Sequence, residues 1–181
     1  AKVRAYVAEG TQVPIYILGS STDSAVLAAA YGLPYAFASH FAPQQMAAAF
    51  RFYTNEFQAN DLLEKPHKIA CVNVIVGETN EEAKLHASSF YKMFLGLIRN
   101  QRSTMKKPDL SYYDDWTVVE EAHLSQMTAG SFIGDEETVA RNLKQFIDRY
   151  QIDEIMMSCP IYSAEQRLYS MEKFASIMRK I

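Results

Sequence analysis

The chain is poor in the residues that punctuate or staple a fold, with 7 glycines, 6 prolines and 2 cysteines among 181 residues. Two cysteines cannot build a disulfide framework, and no Cys or His spacing suits zinc, so no metal is expected. Cys71 and Cys159 both fall in apolar, strand-like segments and read as small buried hydrophobes. Long apolar runs are missing too. Stretches such as Ala25 to Ala30 fall far short of the roughly 20 residues a membrane span needs. The start of the chain lacks the charged-then-apolar order of a signal peptide, so the expected location is cytoplasmic, with no membrane partner. Charge of one sign is not concentrated either: 18 Lys and Arg stand against 21 Asp and Glu, for a net charge of −3. No basic run is interleaved with aromatics, which removes nucleic acid from the expected partners.

What is present is a chain of ordinary globular composition, 49% hydrophobic and 22% charged, ordered as strand followed by helix. The stretch Val13 to Phe41, VPIYILGSSTDSAVLAAAYGLPYAFASHF, holds a complete β-α-β unit. An apolar strand, Pro14 to Leu18, leads into the turn Gly19, Ser20, Ser21, Thr22. A helix from Asp23 to Tyr31 then stops at Gly32, and Pro34 blocks its continuation before a second strand, Tyr35 to Ser39. Two strands apolar on both faces and joined by a helix predict a parallel sheet buried on both sides.

The pattern continues. Pro43 suits a first helical turn, and Met46, Phe50, Tyr53 and Phe57 recur at helical spacing up to Asn60. Lys68 to Val76 is a strand rich in β-branched residues. Thr79 and Glu82 form a capping-box signature for a helix reaching about Arg99. Periodicity lapses over 101–116, which reads as an excursion or lid containing Tyr112, Tyr113 and Trp116. A short helix to Met127 and an extended piece from Gly130 to Gly134 precede a helix from Asp135 to Tyr150. A fourth main strand spans Ile152 to Cys159. In the last helix, Leu168, Met171, Phe174, Ala175 and Met178 are expected to face inward.

Four pieces in this order carry a family resemblance: the LGSS turn with AAAYGLPYAFASHFAP, the junction VNVIVGETNEEAK, the segment GSFIGDEETVARNL, and the closing DEIMMSCPIYSAEQRLYSMEKFA. From about Val3 to the C-terminus the chain resembles the luciferase-like flavin monooxygenases, which fold as (β/α)8 barrels. The resemblance covers the C-terminal half of that barrel, about strands five to eight, so residues 1–181 read as a single partial domain of α/β class. It implies an enzyme that uses reduced FMN, supplied by a flavin reductase, and dioxygen to oxidise a small organic substrate. A deazaflavin-dependent hydride-transfer enzyme and a non-catalytic flavin-binding half-barrel are the alternatives. An open half-barrel also implies a partner, either a homodimer mate or the other barrel half.

The site residues follow from position. Gly19, Ser20, Ser21 and Ser24 offer hydroxyls and free amides at a helix start, a cradle for phosphate or a simple helix cap. The resemblance favours the flavin phosphate. Ser39, His40 and Phe41 follow the second strand, and barrel chemistry is built at the C-terminal ends of strands. They are expected to line the substrate pocket, with His40 the one candidate acid or base and a polar structural role its alternative. Ser158, Cys159 and Tyr162 can border the same pocket from the last strand. Arg167 is a weaker candidate, because a solvated helix face accounts for it equally well.

Overall fold

The computed structural model describes residues 6–181, so the stretch from Val3 to Ala5, where the resemblance begins, lies outside the described residues. In chain order the elements are β1 (Ile17–Gly19), α1 (Thr22–Ala30), β2 (Tyr35–Phe37), α2 (Met46–Glu56), β3 (Lys68–Val76), α3 (Asn80–Ile98), α4 (Val118–Met127), β4 (Ser131–Gly134), α5 (Glu136–Tyr150), β5 (Glu154–Ser158) and α6 (Ala164–Met178). Short 3-10 turns at Pro43–Gln45 and Leu110–Asp114 precede α2 and α4. All the strand pairs are parallel. No helix among the described residues is long and apolar enough to cross a membrane.

The order β1, β2, β3, β5 is that of four consecutive barrel staves, and the whole is half of a (β/α)8 barrel. β3 is the longest strand, and every one of its residues is buried. It pairs with β2 over Lys68–Ala70, with β4 over Asn73–Val76 and with β5 over Ile69–Asn73. Because β5 overlaps both other registers, it holds one edge of β3. β2 and β4 therefore share the opposite edge, one after the other.

Side-chain alternation along β3 feeds two cores. Ala70, Val72, Val74 and Val76 pack with Ala25 and Ala28 of α1, Phe50 and Tyr53 of α2, Val139 and Leu143 of α5, and Ile177 of α6. Ile75, on the other face, packs with Ala87, Phe90 and Phe94 of α3, Leu124 of α4, and Ile161. The outer helix belonging to β3 is thus α5, while α3 and α4 pack against Ile75 at the carboxyl end of the inner face. A simple strand-then-helix reading gives that outer position to α3. The segment from α3 to β4 is an insertion whose ends meet, since the Gly77 amide donates to the Gly134 carbonyl at 3.1 Å.

Three expectations need correction. β1 is not buried on both sides: it starts at Ile17, and Ile15, Tyr16 and Leu18 are exposed, because among the described residues its outer edge has no neighbour. In α6, Leu168 and Met171 are exposed, whereas Ser170 and Ile177 are fully buried. The cause is a hydrogen bond from the Val76 amide to Ser170 Oγ at 2.9 Å, which satisfies a backbone donor at the strand end and fixes the helix rotation. Finally, only half of the capping box at α3 forms. Thr79 Oγ1 accepts from the Glu82 amide at 3.1 Å, but the Glu82 carboxylate accepts from the Glu78 amide. The complete box lies at α4, between Thr117 and Glu120.

Candidate functional site at the carboxyl ends of the strands

The turn from β1 to α1 is built around Ser21, the N-cap residue. Its backbone is extended and its side chain caps no amide, so the first-turn N–H groups of α1 have no side-chain partner. By contrast α3, α4, α5 and α6 each begin with a side chain bonded to a first-turn amide. Ser24 Oγ donates to the Ser21 carbonyl at 2.7 Å, and the Tyr35 hydroxyl donates to the same oxygen at 3.0 Å. Burial raises the Tyr35 pKa and keeps that phenol protonated. The single proton of Ser24 is therefore spent inside the turn. Gly19 permits this closure, since a Cβ there would lie 1.9 Å from Ser24 Oγ. The exposed Asp23 is the one acidic residue of the first turn.

Ser39, His40 and Phe41 follow β2 and meet the middle of β3. Ser39 is fully buried and donates to the Cys71 carbonyl at 2.6 Å. The His40 carbonyl accepts from Asn73 Nδ2 at 2.6 Å, and the same amide reaches Ser131 Oγ at 3.2 Å. Asn73 thus ties the end of β2 to the start of β4, where one strand replaces the other along β3. The His40 ring stacks edge to face on Phe41, 4.9 Å between centroids, and its Nδ1 is buried without a hydrogen-bond partner. Burial lowers the His40 pKa, and the Cys71 carbonyl opposes that shift. The imidazole is accordingly neutral near pH 7. Phe41 is about half exposed, at 51%, beside it.

Gly130 lets these pieces approach: a Cβ there would lie 2.2 Å from the Ser39 carbonyl oxygen. Cys159 follows Ser158, which pairs with Asn73 across the other edge of β3, and packs against the core formed with α3. Burial raises the pKa of its thiol, so it is not a ready thiolate. Sequence reading missed Asn73, whose only signal was an amide inside the apolar run IACVNVIV. Among the described residues no group of three His, Cys, Asp or Glu could hold a metal.

Residues 101–116 pack on the flank of α3. Tyr113 donates to the Lys84 carbonyl at 2.9 Å, Lys92 pairs with Asp115, and Arg99 Nε meets Glu120 at 2.7 Å.

With this geometry in view, the sequence profile of the luciferase-like monooxygenases matches residues 2–151. The chain belongs to that family. A Bacillus subtilis protein of undescribed function, YvbT, is 36% identical over 98% of this chain and 53% of its own length. A luciferase-like monooxygenase of Escherichia coli is 34% identical over 94% of this chain and 51% of its own. The chain thus spans about half the length of the curated family members it matches. Among solved folds, apo-MsnO8 superposes with a TM-score of 0.83 at 22% identity, covering 94% of this chain and 53% of that one. The oxygenating constituent of 3,6-diketocamphane monooxygenase from Pseudomonas putida, solved with FMN, superposes at 0.61 and 12% identity, covering 89% and 46%. An F420-dependent secondary alcohol dehydrogenase superposes at 0.55 and 12% identity, covering 93% and 49%.

Proposed function

We propose that this chain forms the cofactor-phosphate side of a flavin-dependent monooxygenase that uses reduced FMN and dioxygen to oxidise a small organic substrate. The observation that carries the reading is the uncapped start of α1 at the carboxyl end of β1, in a member of this family. Ser20 and Ser21 hydroxyls and the first-turn amides of α1 would hold the phosphate, favoured there by the positive end of the helix dipole. Ser24 shapes the turn instead of touching the ligand, because its proton is already donated to Ser21. Bound reduced flavin supplies the reaction with dioxygen. The protein's own share is to orient that group, exclude water and position the substrate beside His40 and Phe41. A neutral, half-buried imidazole can accept or donate a hydrogen bond there without adding charge. The rest of the barrel, from a second polypeptide segment or a second copy, would complete the pocket.

The test is binding of FMN and of riboflavin, read by flavin fluorescence, to this chain alone and with the other barrel half supplied from a family member. Phosphate recognition predicts FMN tighter than riboflavin by tenfold or more, and Ser21→Ala is expected to narrow that ratio. Equal losses for both ligands would remove the phosphate assignment, and binding in neither setting would remove the flavin reading. A deazaflavin enzyme with the same scaffold is the second reading, given the F420-dependent fold of similar architecture. Reconstitution with each cofactor, followed by its absorbance, separates the two.

A further inference from the structure

A second pocket lies on the inner face of the sheet, away from the β1–α1 turn. α3, α4 and the 3-10 turn Leu110–Asp114 line an open groove of about 370 Å³, within the range that holds small organic ligands. Its sheet end is Ile133. That residue shares a strand face with Ser131, the hydrogen-bond partner of Asn73, whose amide also bonds the His40 carbonyl.

Its floor is aromatic. Tyr91, Tyr113 and Trp116 meet edge to face, with centroids 5.2 to 5.9 Å apart. The Tyr113 hydroxyl is donated to the Lys84 carbonyl, and burial keeps that phenol neutral. Lys84 Nζ lies 4.9 Å from the centre of the Tyr113 ring, and no carboxylate among the described residues pairs with it. Glu121, on α4, also lines the groove and has no cationic partner among the described residues. An ammonium held only by a ring face is a weaker arrangement than the same ammonium hydrogen-bonded to a carboxylate. The groove therefore presents the faces and edges of three aromatic rings, with one exposed cation, Lys84, and one exposed carboxylate, Glu121, along it.

We propose that this pocket binds a planar aromatic acid that also carries a hydrogen-bond donor, its carboxylate on Lys84, its ring against Trp116 and Tyr91, and its donor toward Glu121. Resting on the monooxygenase reading above, this is the class of the organic substrate, whose far end would point toward His40 along the strand face that Ile133 shares with Ser131. The chain's single tryptophan is Trp116, so tryptophan emission excited beyond the absorption of the 11 tyrosines reports on this pocket. Titration with 4-hydroxybenzoate is expected to give a saturable change. The methyl ester, which lacks the charge, and octanoate, which lacks the ring, are each expected to bind at least tenfold more weakly. Lys84→Gln should weaken the acid tenfold or more and leave the ester unchanged, while Ser21→Ala should leave both unchanged. No saturable change at millimolar acid would overturn the proposal, as would equal binding of acid and ester. The ester comparison needs no variant, so a folding defect in Lys84→Gln cannot decide the outcome. Loss of FMN binding with acid binding intact would sink the flavin reading and leave the pocket standing.

Discussion

His40 is held by its backbone, through the Asn73 amide, while its ring is left to burial and to Phe41. This arrangement predicts a titration midpoint below the ordinary histidine value of about 6.5, measurable by NMR of the imidazole. The sign for stability follows. The unfolded chain binds this proton more readily than the folded one, so stability from this group rises with pH through the window below about 6.5 and is level above it. Asn73→Ala should move the midpoint back toward 6.5 as the strand end loosens. It should also cost about 1 kcal/mol in urea unfolding, because it strands the part-buried His40 carbonyl. A midpoint unchanged in Asn73→Ala would show that Asn73 does not set the imidazole's surroundings. Gly19 illustrates the same scale by contact: any side chain there displaces Ser24 and opens the turn.

At the scale of elements, α4 is fastened to α3 by charge. Arg99 holds the Glu120 carboxyl down to about 2, and the Thr117 amide adds to the shift. A carboxylate whose folded pKa lies below its unfolded value stabilises the fold above about 4.5, and that contribution is lost as pH falls toward 2. Acid unfolding followed by Trp116 fluorescence should therefore show an early loss of α4 docking between about pH 4.5 and 2, and Glu120→Gln should flatten the pH dependence in that window. An unchanged acid profile in the variant would assign the docking to the aromatic contacts of Tyr91, Tyr113 and Trp116 instead. β3 was legible in the sequence because a run of β-branched residues between Pro66 and Gly77 has few other uses. α2 was legible for a similar reason, its Met46, Phe50 and Tyr53 all proving buried. The rotation of α6 was not, since a serine hydroxyl serving the Val76 amide outweighs two apolar residues and leaves no periodic trace. Nor could periodicity assign α3 to the inner face, because which side of a sheet a helix covers depends on its connection. Asn73 was hidden for the complementary reason: a lone polar residue in a strand gains meaning only from the carbonyl it meets.

For the whole molecule, the decisive property is that β1 and β5 each have a partner on one side only among the described residues. Tyr16 and Leu18 near one edge and Met156 on the other are about half exposed or more. Such edges and apolar surfaces invite pairing. The chain alone should bind a hydrophobic dye and sediment as a concentration-dependent associate, and addition of the other barrel half from a family member should reduce both. A monodisperse monomer that binds no dye would overturn the expectation of a partner. The stapled ends of the insertion have a different consequence. Because Gly77 meets Gly134 and Asn80 bonds Asp135, the chain leaves the sheet and returns to it at almost one point. A closed detour of this kind can change length and content without moving the strands beneath it, since loop closure penalises added length only slowly. Its sequence is free to diverge while the scaffold stays constant, so exchanging residues 78–129 between family members offers a way to graft one member's ligand preference onto another.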